Sequence, residues 1–95
     1  MNDLKPGQLV RSLAGRDKGK HYLVLRELDN GYVLLVDGYS RPLARPKKKN
    51  KIHLQHYERR AILEEAVALE DMQNSQVIRL LKELSPQAGT PAEEV

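Results

Sequence analysis

The chain has 95 residues, with 16 Lys/Arg against 13 Asp/Glu and a net charge of +3 at pH 7. A chain of this length forms one domain with a small core, so a large catalytic cleft is not expected. The absence of Cys excludes disulfides and thiolate metal sites and suits a reducing cytoplasm, and no window approaches the roughly 20 apolar residues of a membrane span.

Phe and Trp are also absent, so Leu, Val, Ile and four Tyr must supply the core. The first residues, MNDLKPGQLV, hold no apolar run of signal-peptide length. Residues 7–13, GQLVRSL, opened by Pro6-Gly7, predict a first strand. A charged turn, AGRDKGK, leads into residues 20–28, KHYLVLREL, whose Tyr, Leu and Val predict a second strand. Asp29-Asn30-Gly31 is a strong hairpin signal, because Asn and Gly accept the positive φ that a tight turn demands. YVLLVDG then supplies a third strand ending at Asp37-Gly38. These central strands are apolar on both faces, so the sheet must curl into a barrel or be covered.

Pro42 and Pro46 cannot donate to a ladder, which predicts short edge strands at about 41–44 and 52–55 joined by a basic loop. From Glu58 to about Met72 the period changes: Ile62, Ala66 and Leu69 recur at helical spacing with acids opposite. Gln73-Asn74-Ser75 interrupts that helix. Asn74 or Ser75 can cap a second one, whose apolar stripe is Val77, Leu80, Leu81 and Leu84, and Ser85-Pro86 stops it. The expected fold is mainly β with α: a five-stranded SH3-like barrel over 1–57 and a two-helix acidic appendage over 58–84, packed on the barrel or docking a partner. A disordered tail over 85–95 completes it.

The segment GQLVRSLAGRDKGKHYLVL resembles the KOW motif, in which a strand, a Gly-containing basic turn and a second strand form the first hairpin of an SH3-like barrel. The matching residues are Gly7, Val10, Gly15, Asp17, Lys18, Gly19, Lys20 and Val24. With YVLLVDG, RP and KKKNKIHL in that order, residues 4–56 are similar to the KOW-containing large-subunit ribosomal proteins of the archaeal and eukaryotic type numbered fourteen. The resemblance implies RNA binding, with ribosomal RNA as partner. The acidic helical end departs from the basic extensions that many ribosomal proteins carry.

The charge distribution points the same way without any family. Residues 1–60 carry 14 Lys/Arg against 6 Asp/Glu, whereas residues 61–95 carry 2 against 7. So basic a half suits a polyanion, and nucleic acid is the commonest one inside a cell. Gly15 and Gly19 let backbone N–H groups approach a phosphate, and Arg16, Lys18 and Lys20 add cations on the same rim. Asp17 does not fit a phosphate site, and its expected partner is the turn backbone. The second candidate segment holds Arg41, Arg45, Lys47, Lys48, Lys49, Lys51 and His53. Tyr22 and Tyr39 are read as core and rim packing rather than stacking platforms, so structured RNA recognised by shape and phosphate is the expected ligand.

His21, His53 and His56 do not assemble a metal site by spacing. GRDKGK lacks the Ser/Thr and the spacing of a nucleotide-binding phosphate loop, and no nucleophile–base pair is visible. The expectation is a non-catalytic cytoplasmic RNA binder without metal or cofactor. The alternative is a protein-interaction module that docks a transcription or translation factor through the barrel or the acidic helices.

Overall fold

The computed structural model describes residues 4–60 and 71–85. Five strands, β1 (Gln8–Ser12), β2 (His21–Glu27), β3 (Tyr32–Val36), β4 (Lys47–Asn50) and β5 (Leu54–Arg60), form one antiparallel sheet in the order β4-β3-β2-β1-β5. One helix, α1 (Asn74–Leu84), follows, so the described chain is mainly β with a single helix. That helix is not long and apolar enough to cross a membrane.

Strand alternation divides the core in two. Val10, Tyr22, Val24, Val33 and Leu35 point to one face, where Leu4 and Leu54 join them. Leu9, Leu23, Leu25 and Val36 point to the other. Both faces of the sheet are therefore apolar, and the second is covered by α1: Val77 is buried in its cluster, with Leu80, Leu81 and Leu84 packed alongside. Each such buried aliphatic side chain contributes about 1.5–3 kcal/mol. The stripe read from the sequence is thus the packed face of α1.

Several boundaries differ from the sequence expectation. The segment expected as a strand at 41–44 is a turn, and the strand comes later, in the lysine run expected as a loop. β4 is an edge strand, where charged Lys side chains are tolerated and an incoming Pro46 costs no ladder bond. The strand expected at 52–55 begins at Leu54 after a short 3-10 turn, Lys51–His53. It runs on to Arg60, so residues 58–60, expected as the start of a helix, are extended. Residues 61–70 of that expected helix and the expected tail beyond residue 85 lie outside the described residues, while Asp71 and Met72, at its expected end, are not α-helical.

The cap of α1 also differs. Its N-cap is Gln73, where the Gln76 side chain accepts from the Gln73 N–H at 2.8 Å. Asn74 serves the loop before β4 instead, its Oδ1 accepting the Leu43 N–H at 2.7 Å.

Candidate functional site

The β1–β2 connection, residues 13–20, is a double turn. Lys18 N–H donates to the Gly15 carbonyl and Lys20 N–H to the Asp17 carbonyl, while Gly19 N–H returns to the Ser12 carbonyl at 2.8 Å. Gly15 and Gly19 hold φ of 87° and 92°, a region that side chains with a Cβ rarely enter, so the two glycines permit this path.

Asp17 departs from its expected role. It turns inward, 6% exposed, and binds side chains rather than turn backbone. Ser12 Oγ donates to its Oδ1 at 2.8 Å, Tyr22 OH to its Oδ2 at 2.9 Å, and Lys49 Nζ to its Oδ1 at 2.9 Å. Lys47 Nζ stands 3.6 Å from Oδ2. Burial alone would raise the Asp17 carboxyl, but the hydrogen bonds from Lys49, Ser12 and Tyr22 outweigh it and hold the group ionised far below the usual carboxylate range. The Tyr22 hydroxyl moves the opposite way, pushed up by burial and by its bond to Asp17.

Lys49 also donates to the Ala14 carbonyl at 2.8 Å, so β4 braces the turn from beneath. The consequence at the surface is chemical. The only acid within AGRDKGK is withdrawn, while Arg16, Lys18 and Lys20 are all exposed. The rim is left purely cationic.

The second basic segment is divided by the fold. Lys49 is consumed by the Asp17 cluster, with a side chain only 10% exposed, and Lys47 is partly engaged there. Lys51 pairs with Glu27 Oε2 at 2.9 Å, at the end of β2 away from the turn. That bond, with a second from the Leu4 N–H, lowers the Glu27 carboxyl. These three lysines are therefore structural cations in whole or in part, and Lys47–Asn50 is a strand where a basic loop was expected. Lys48, on the other face of β4, is exposed and lies 4.9 Å from the centre of the Tyr32 ring. Arg45 is exposed, Arg41 half-buried. His53 is exposed beside the turn, its carbonyl accepting the Leu13 N–H at 2.8 Å.

Sequence reasoning missed a second organising carboxylate. Asp37 is buried and accepts from the Tyr39 and Arg41 N–H groups, both at 2.8 Å, and from Ser40 Oγ at 3.0 Å. The Asp-Gly pair was legible as a turn; that its carboxylate locks the whole 38–41 loop was not. Nearby, His21 Nε2 is 3.2 Å from Tyr57 OH, and burial together with the charge of Arg11 lowers its pKa. Among the described residues no cluster of His, Asp or Glu could hold a metal ion.

No protein-family model matches the chain, and no curated protein matches it in sequence.

Proposed function

We propose that the chain is a non-catalytic RNA-binding protein of KOW type, its sheet closing as an SH3-like barrel, that contacts structured ribosomal RNA through the 14–20 turn. One observation carries this reading. The fold removes Asp17 from the turn surface and leaves Arg16, Lys18 and Lys20 exposed on a backbone fixed by hydrogen bonds and by Lys49. Cations held on a braced turn lose little freedom on meeting phosphates, whereas merely solubilising charge needs no such brace. Arg45 and Lys48 are further exposed cations, Lys48 on the opposite face of β4 from Lys47 and Lys49.

These five cations set an expected salt dependence. If each neutralises one phosphate, log affinity plotted against log salt has a slope between about −3.5 and −4.5. A flat plot in a filter-binding titration rejects a phosphate-dominated site.

The turn is tested directly by changing Arg16, Lys18 and Lys20 together to Gln. Affinity for RNA falls at least about tenfold, equivalent to about 1.4 kcal/mol, with the circular dichroism spectrum unchanged. The control changes Lys5, Arg26 and Arg79, which removes the same formal charge from outside the two basic segments. Equal losses in the two variants reduce the turn to a net-charge effect.

A second reading, a module that docks a transcription or translation factor, is favoured by one observation. Leu13 and Ile52 are exposed apolar residues flanking the hydrogen bond between Leu13 and His53. Partner association that survives nuclease treatment supports this reading over RNA binding.

A further inference from the structure

Beside the cationic turn lies an open groove of about 800 Å³, bounded by Gly19 and Lys20, by the 37–40 loop, and by α1 through Ile78, Leu81 and Lys82. A volume of this order accommodates a nucleotide. Its wall carries Tyr39, which is not rim packing as the sequence suggested. It is 71% exposed, in a protein whose Tyr22 is fully buried.

The loop that bears Tyr39 is fixed on three sides. Asp37 accepts the N–H of Tyr39 itself and of Arg41, and Ser40 Oγ closes the same carboxylate. Gly38 lies flush on α1, where an added Cβ would stand 2.6 Å from Ile78 Cγ1. Asn74 ties the loop's far end through Leu43. An exposed aromatic ring on so constrained a backbone is preorganised, and preorganisation favours binding by lowering the ordering cost. Lys20 and Lys82 supply positive charge at two sides of the groove, and Asp37 is satisfied by its own loop rather than turned on a ligand.

We infer that Tyr39 is a stacking platform for one unpaired nucleotide of the bound RNA, its base against the ring and the aliphatic floor of Ile78 and Leu81, and its phosphate at Lys20 and Lys82. The inference rests on the RNA-binding reading and refines it: the ligand is structured RNA that presents an unpaired base next to the paired region met by the turn. Base–aromatic stacking is sequence-tolerant, so the site selects for an unstacked base rather than for its identity.

The experiment uses the full chain with two probes, a short oligouridylate and a blunt-ended, fully paired RNA duplex. Tyr39→Ala weakens oligouridylate binding by about fivefold to a hundredfold, the range of one lost stack, and leaves duplex binding unchanged; Tyr39→Phe retains parent affinity. Because the chain has no Trp, Tyr39→Trp also installs a single fluorescent reporter. Its emission is quenched by oligouridylate and not by inorganic polyphosphate, which supplies phosphate without a base. Unchanged oligouridylate affinity in Tyr39→Ala, or equal quenching by polyphosphate, overturns the stacking site while duplex binding upholds the RNA reading, and leaves the groove to another occupant such as a peptide. Failure of the parent to bind either RNA overturns both.

Discussion

Replacing Asp17 with Ala lowers the stability of the fold by about 3–5 kcal/mol, the range for removing one partner of a buried ion pair. The mechanism is desertion rather than loss of attraction. Lys49 keeps its ammonium at a site where its side chain is 10% exposed, and Tyr22 keeps a buried hydroxyl without its acceptor. A domain of this size has a total stability of about 5–15 kcal/mol, so the loss is a large fraction. Thermal melting followed by circular dichroism records a drop of about 12 °C or more. A drop under about 4 °C rejects the cluster as a structural centre. The double variant Asp17→Leu, Lys49→Met recovers the part of the loss that comes from the deserted ammonium, because it removes both charges together, while Tyr22 still lacks its acceptor.

The same carboxylate gives the parent an acid limb. Its folded pKa lies below the unfolded value near 4, so it contributes stability that is present above that value and lost as pH falls through and below it. Tyr22 has the opposite sign: its folded pKa is raised, so its contribution holds below about 10 and fades as pH rises past it. His21, lowered by burial and Arg11, adds stability above its unfolded value of about 6.5 and loses it on acidification. The melting temperature therefore reaches a plateau between about pH 7 and 9, falls mildly on acidification and steeply below about pH 4. In Asp17→Asn, which keeps the size but not the charge, the steep part shrinks to what Glu27, whose carboxyl is also lowered, contributes. An acid limb identical to the parent's assigns it to other carboxylates.

How much of this was legible depended on the range of the interaction. β1, β2 and β3 were readable because their ends are written locally, in Pro6-Gly7, Asn30-Gly31 and Asp37-Gly38, and because Tyr, Leu and Val fill the span between. The apolar stripe of α1 was readable for the same reason. β4 was not: KKKN has the composition of a loop, and it becomes a strand only because β3 offers an edge and Asp17 waits for Lys47 and Lys49. Asp17 and Lys49 are 32 residues apart, and no local pattern joins them. Asn74 misled in the opposite direction. It is a good capping residue by type, but its side chain goes to Leu43, 31 residues away. Basic residues could be found by composition, yet which of them face solvent was decided by tertiary pairing with Asp17 and Glu27.

Gly38→Val is expected to cost about 3 kcal/mol and to loosen α1 from the sheet. Gly38 has φ of +82°, and a residue with a Cβ pays about 1–2 kcal/mol to adopt the left-handed region, more so when β-branched. Packing adds to this. A Cβ would stand 2.6 Å from Ile78 Cγ1 and 2.7 Å from the Asn74 carbonyl oxygen, and the second neighbour is backbone, which has no rotamer to change. Overpacking of this kind costs about 1–3 kcal/mol. The strain can relax only by moving the first turn of α1 away from the 37–43 loop, which breaks the 2.7 Å bond between Leu43 N–H and Asn74 Oδ1 and exposes Val77. Hydrogen exchange locates the effect: the amides of α1 lose protection in Gly38→Val while those of Leu23 and Val24, in the central strand, keep most of theirs. Gly38→Ala, without β-branching, shows the same pattern with a smaller loss. Uniform loss of protection through the sheet would mean that α1 and the strands open as one unit, and an unchanged melting temperature would mean that the close approach of Gly38 to the helix contributes nothing.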